Sequence, residues 1–219
     1  MNKAEILKKV IATNIPNYYV TDEDCENLYY KSLTNQVAEV LIGPSSYGTA
    51  KKFVEKDIRT AIAISYPAGT AYPDIKAEEI LSFERENGPA DAYYVTAAVG
   101  YFMSGHEDNL KEEMELCVKA TKKPVYFFIE AAEMAEEQLE RACTIAMECK
   151  VSGLVISTAF MPYDIKEGTA QEVKRLKQYA GSLLEVIAFG AFHTAEEAEE
   201  ALAAGADRII FNGIDTLIY

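Results

Sequence analysis

What this chain has least of is positive charge and metal-binding side chains. It carries 21 lysines and arginines against 35 acidic residues, a formal charge of −14. That balance opposes nucleic acid, whose binding relies on basic residues that neutralise phosphates. Much of the acid lies in runs such as EAAEMAEEQLE and TAEEAEEALAAG, the pattern of solvated outer helix faces. Histidine occurs only as His106 and His193. Neither has ligand spacing to another donor, apart from Glu107 and Asp108 beside His106, so no metal and no cofactor are expected. Four cysteines, Cys25, Cys117, Cys143 and Cys149, contain no CxxC pair, which argues against a zinc site or a disulfide framework and predicts reduced packing thiols.

Long apolar runs are also missing. Although 49% of the residues are apolar, none of the runs approaches the ~20 residues of a membrane span. The start MNKAEILKKVIATNIPN lacks the apolar stretch of a signal peptide, so the expectation is a soluble, cytoplasmic protein that meets no membrane. P-loop and G-x-G-x-x-G fingerprints are absent, and Gly43-Pro44-Ser45-Ser46 is not a nucleophile elbow.

What is present is a regular alternation of short β-type runs with helical-period segments. The runs are Ile15 to Val20, Val37 to Gly43, Thr60 to Tyr66, Asp91 to Ala97, Pro124 to Glu130, Gly153 to Thr158, Leu184 to Phe189 and Asp207 to Phe211. Eight such units in 219 residues predict one domain over 1–219, an α/β fold of the (β/α)8 TIM-barrel type. Thr21-Asp22-Glu23-Asp24 and Thr194-Ala195-Glu196-Glu197 read as capping boxes, and Gly205 ends the last full helix. In a parallel barrel the chemistry belongs at the C-terminal strand ends and the loops that follow them.

Read in order, those ends resemble the class I deoxyribose-phosphate aldolase family over roughly Thr21 to Asn212. The family's F-P-x-G with a following lysine and glutamate is similar to Tyr66-Pro67-Ala68-Gly69 with Lys76 and Glu79. Its G-x-L-K-S-G turn resembles the segment from Gly100 to Gly105, and its K-V-I-x-E strand resembles Lys123 to Glu130. T-S-T-G-F resembles Ile156-Ser157-Thr158-Ala159-Phe160, and G-A-T resembles Gly168-Thr169-Ala170. K-A-S-G-G-I-R-T and G-A-x-R-I-G-T-S resemble the segments starting at Ile187 and Gly205.

On that frame the family's Schiff-base lysine falls on Val155, its second lysine on Ile187, and the aspartate that serves proton transfer on Tyr93. Class I aldol chemistry needs a primary amine to form its imine, and valine supplies none. The chain is also expected to stop short of the family's closing C-terminal helix, a gap the helical start Lys3 to Ala12 could cover beside the last strand.

The resemblance implies ligand contacts at Ser157 and Thr158, and a phosphate held by backbone N–H groups at Gly190, Ala191, Asn212 and Gly213. Phe192 and Phe211 make those last loops more apolar. Two readings follow. One is a pseudoenzyme that works as a binding or assembly partner, as a homo-oligomer or with an active paralogue. The other is a lyase or isomerase on a small aldehyde or sugar phosphate, using Glu130 and tyrosines, with Tyr93 and Glu130 as the catalytic pair. A lysine displaced to Lys166 is the third option, disfavoured because a water-exposed amine keeps its high pKa.

Overall fold

The two threonine caps form as the sequence predicts. Thr21 and Thr194 each accept the N–H of the residue three further on, at 3.2 Å, while Asp24 and Glu197 return a carboxylate to the threonine N–H. The structure is a computed structural model and describes residues 3–17, 19–54, 58–160, 169–190, 192 and 194–214. Its helices are α1 (Lys3–Leu7), α2 (Asp22–Thr34), α3 (Tyr47–Val54), α4 (Pro73–Asn87), α5 (Val99–Met103), α6 (Glu107–Ala120), α7 (Glu136–Glu148), α8 (Thr169–Ala180) and α9 (Ala195–Ala203). The strands are β1 (Val10–Thr13), β2 (Glu39–Ile42), β3 (Arg59–Ile64), β4 (Ala92–Thr96), β5 (Val125–Phe128), β6 (Gly153–Val155), β7 (Glu185–Phe189) and β8 (Arg208–Asn212). All pair in parallel in chain order, and β8 closes on β1. This is a (β/α)8 barrel. No described helix is long and apolar enough to cross a membrane.

The first strand lies elsewhere than the sequence pattern suggests. Ile15 to Val20 is not a strand; β1 is the wholly buried Val10–Thr13, and the opening helix ends at Leu7. Pro16 has no N–H to give a strand paired on both sides. The Asn14 to Asn17 stretch turns instead, with the Asn17 N–H donating to the Asn14 carbonyl at 3.1 Å. The N-terminal segment does pack beside the last strand: the Ile209 N–H donates to the Lys9 carbonyl at 3.0 Å, and Ile6 and Leu7 are buried. Residues 215–219, and with them the end of the chain, lie outside the described residues.

Alternation along the strands sorts the core in two. Ile11, Leu41, Ala61, Ala63, Tyr94, Tyr126, Phe128, Val155, Ile187, Phe189 and Ile210 pack together inside the barrel. Val40, Ile62, Tyr93, Val95, Phe127, Leu154 and Val186 face outward against helix residues such as Ile80, Met114 and Leu139. The four cysteines are buried free thiols.

The floor of the barrel is charged. Glu39 is fully buried and accepts from Arg59 Nε at 3.0 Å, Arg208 Nη1 at 3.4 Å and the Tyr94 hydroxyl at 2.9 Å. The Arg208 guanidinium also lies 4.8 Å over the Tyr126 ring and pairs with Glu185 at 2.8 Å.

Candidate functional site at the barrel mouth

The C-terminal strand ends carry an aromatic plug over the β5, β6 and β7 side. Phe128 lies 6.2 Å from Phe189 and 5.7 Å from Tyr66, whose ring in turn meets Phe160 at 6.1 Å. The Tyr66 hydroxyl donates to the Thr158 carbonyl at 2.7 Å, and burial pushes this phenol well above its ordinary range.

Val155 and Ile187 are neighbours across the β6–β7 ladder. Both project into the interior, fully buried beneath that plug. Val155, on which the resemblance places the family's Schiff-base lysine, is therefore inside the barrel.

Tyr93 is not in the site. The register turns it outward, where its hydroxyl donates to Glu84 at 3.1 Å and accepts the Ala90 N–H at 3.2 Å. The inward residue of β4 is Tyr94, because strand side chains alternate and a one-residue offset in the family frame exchanges the two faces. Tyr93, on which the resemblance places the family's aspartate, therefore faces the helix layer, and Tyr94 faces the interior. That hydroxyl points to Glu39 on the floor, away from the mouth.

Glu130 stands half-buried at the mouth with both oxygens occupied. One accepts the Thr158 N–H at 2.9 Å and the Thr158 hydroxyl at 2.6 Å; the other accepts the Ser157 hydroxyl at 3.1 Å. Glu130, Ser157 and Thr158 thus come together, but as a closed set of mutual bonds that shapes the β6 loop. Gly190 is buried against Thr169 at the start of α8. Phe192 stacks on Phe211 at 5.8 Å. Asn212 is exposed, and the Gly213 N–H is spent on the Thr13 carbonyl at 3.2 Å, so it is not free for an anion. Ala191, His193 and Lys166 lie outside the described residues.

Lys76 is the one fully buried lysine among the described residues. It belongs to the helix layer rather than the barrel lumen. From α4 its ammonium donates to the Gly69 carbonyl at 2.7 Å, the Thr96 carbonyl at 2.7 Å and Glu113 of α6, which uses all three of its hydrogens. Gly69 holds φ +63°, and a Cβ there would sit 2.4 Å from the Ala97 carbonyl, so this turn requires glycine.

An open polar cavity of about 370 Å³ lies on the other side of the mouth, over the ends of β1, β2 and β3. Asn14, Ser45, Ser46, Ser65, Tyr66 and Glu79 are among its lining residues. Of these, Asn14 and Ser65 were passed over in the sequence. The Asn-Ile-Pro-Asn turn chemistry was the available signal, hidden by reading the segment as a strand. Glu79 accepts the Ser65 N–H at 3.0 Å, and burial raises its carboxyl above the ordinary range. No group of three or more His, Cys, Asp or Glu placed to hold a metal occurs among the described residues.

No family model matches the chain. It is 29% identical over 205 residues to the deoxyribose-phosphate aldolase of Clostridium botulinum strain Langeland, covering 93% of this chain and 94% of that protein. It is 27% identical over 215 residues to the deoxyribose-phosphate aldolase of Thermococcus kodakarensis, covering 95% and 93%. Its fold matches the tetrameric deoxyribose phosphate aldolase structure from Aeropyrum pernix with a TM-score of 0.86 at 20% identity, covering 99% and 91%. By its closed barrel and its full-length similarity, the chain is a divergent relative of the deoxyribose-phosphate aldolases.

Proposed function

We propose that this aldolase-like barrel works by binding, as a pseudoenzyme that forms no imine, in the cytoplasm and as a partner of its own copies or of an active relative. The observation that carries the reading is the interior pair Val155 and Ile187, fully buried under Phe128 and Phe189 where the family keeps amines. An imine requires an unprotonated amine that a carbonyl can reach. Lys76, buried and tied to three acceptors, offers neither condition. Four buried free thiols fit a reducing compartment.

A lyase or isomerase run by Glu130 is less well supported. Three bonds from Ser157 and Thr158 already engage its two oxygens, and Tyr93 faces away from the mouth.

The test is reductive trapping. The protein is incubated with acetaldehyde or glyceraldehyde, reduced with borohydride and mapped by mass spectrometry. Recovery of unmodified chain is the expected result. One stoichiometric adduct at a single lysine, wherever it maps, would overturn the proposal.

A further inference from the structure

The cavity over β1, β2 and β3 lies away from the positions where the family keeps its amines, and its chemistry differs from that of a phosphate site. Among the described residues no lysine or arginine lines it, and its one ionisable carboxyl is Glu79. Asn14 is 93% buried, and its amide nitrogen meets no acceptor among the described residues. A buried donor left unmade is costly, and structures keep few of them without a reason. Ser65, on the same wall, is held at φ +54°, a conformation a non-glycine residue adopts only when its surroundings enforce it. The Glu79 carboxylate on the Ser65 N–H and the Gly69 N–H on the Ser65 carbonyl supply that enforcement, each at 3.0 Å. The wall is therefore fixed in advance, which lowers the cost of ordering it around a ligand.

From this we infer that the mouth holds a small neutral polyhydroxylated molecule, such as a free sugar or polyol, with a ligand hydroxyl accepting from Asn14 and another donating to Glu79. A hydroxyl is both donor and acceptor, so a polyol carries partners for both groups. A phosphate ester is disfavoured, because its dianion faces the Glu79 carboxyl with no lysine or arginine among the described lining residues to meet it, on a chain of formal charge −14. The volume of about 370 Å³ is at the small end of ligand pockets. The inference rests on the binding reading above, to which it adds the class of ligand.

Titration calorimetry of the full-length protein with erythritol, D-ribose and D-ribose 5-phosphate at equal ionic strength tests it. Erythritol or ribose should saturate a single site, with the phosphate ester at least about tenfold weaker. Asn14→Leu should lower the affinity for the neutral probe at least about tenfold while the protein stays folded, since leucine removes the orphan donor. Glu79→Gln keeps an acceptor for the Ser65 N–H but removes the negative charge, so it should shrink the discrimination against the phosphate ester. Equal or tighter binding of the phosphate ester overturns the inference, as does unchanged affinity in Asn14→Leu, or no saturation by either neutral probe. Calorimetry contains no reductant, so an imine adduct in the trapping assay would remove the imine-free reading while leaving this result to stand or fall alone.

Discussion

Replacing Lys76 by methionine isolates the buried ion pair from everything else in the barrel. The side chains of Lys76 and Glu113 are 0% and 1% exposed. Methionine keeps most of the volume but removes the charge and three donated bonds. What remains is a carboxylate held only by the Ala98 N–H at 3.3 Å, and two carbonyls, of Gly69 and Thr96, without their lysine donor. Breaking one side of such a pair costs about 3–5 kcal/mol, because an uncompensated buried charge is left behind. With a urea slope of about 2 kcal/mol/M, the midpoint should fall by about 1.5–2.5 M.

Glu113→Leu added to Lys76→Met should recover more than half of that loss, since a pair of apolar groups can replace a buried ion pair at little net cost. The coupling energy in the double-mutant cycle should therefore exceed about 2 kcal/mol. Burial already holds the Glu113 carboxyl above the ordinary glutamate range despite Lys76. In Lys76→Met it rises further, so the folded variant takes up a proton as pH falls and its loss is smaller at pH 5 than at pH 8. A loss below about 1 kcal/mol that is additive with Glu113→Leu would refute the argument, because it would mean that water reaches the ammonium.

Two further outcomes follow from other buried groups. Glu39→Leu strips the floor of the acceptor shared by Arg59, Arg208 and the Tyr94 hydroxyl; it should cost about 3–5 kcal/mol in urea denaturation, with Glu39→Gln costing less, and a loss under about 1 kcal/mol would contradict the role given to this network. Burial raises the thiols of Cys117 and Cys143 to about 12 and that of Cys25 to about 11. Above the unfolded thiol pKa of about 8.5, the unfolded chain releases protons that the folded chain keeps. Stability should then fall with rising pH, by up to about 1.4 kcal/mol per unit for each thiol, until the folded pKa is reached. Urea midpoints between pH 8 and 10 measure this: Cys143→Ala should flatten the slope, and a flat wild-type profile would sink the assignment.

The barrel itself was legible because each of seven strands is a short apolar run set between helical segments, and because Thr21 and Thr194 mark their helix starts by local chemistry alone. β1 was misread because Val10-Ile11-Ala12-Thr13 continues a helical-looking start without a break, while the aromatic stretch beyond Pro16 has strand composition and only the proline argues against it. Tyr93 and Tyr94 could not be told apart by composition. Both are buried tyrosines on one strand, and a single residue of register decides which one faces the lumen. The cavity at β1 to β3 was invisible for a different reason: its donors come from segments separated by about 50 residues, brought together only when β1 pairs with β2 and β2 with β3.

The proposed loss of imine chemistry fits the arrangement of the interior. Val155 and Ile187 face each other across one ladder, and the inward residue of β4 turns its hydroxyl to the floor, where Glu39 already holds two guanidinium groups. A lysine at 155 would therefore lie among Phe128, Phe189 and Ile187, with no second lysine opposite it on the β6–β7 ladder. Desolvation there would push its amine toward the neutral form, at a cost that falls on folding. Beside the Glu130, Ser157 and Thr158 set, a second group of polar side chains, Asn14, Ser65 and Glu79, lies on the opposite wall of the mouth. The barrel thus keeps its arginines and Glu39 on the floor and an open polar cavity at one side of the rim, a division that suits the proposed holding of a neutral molecule.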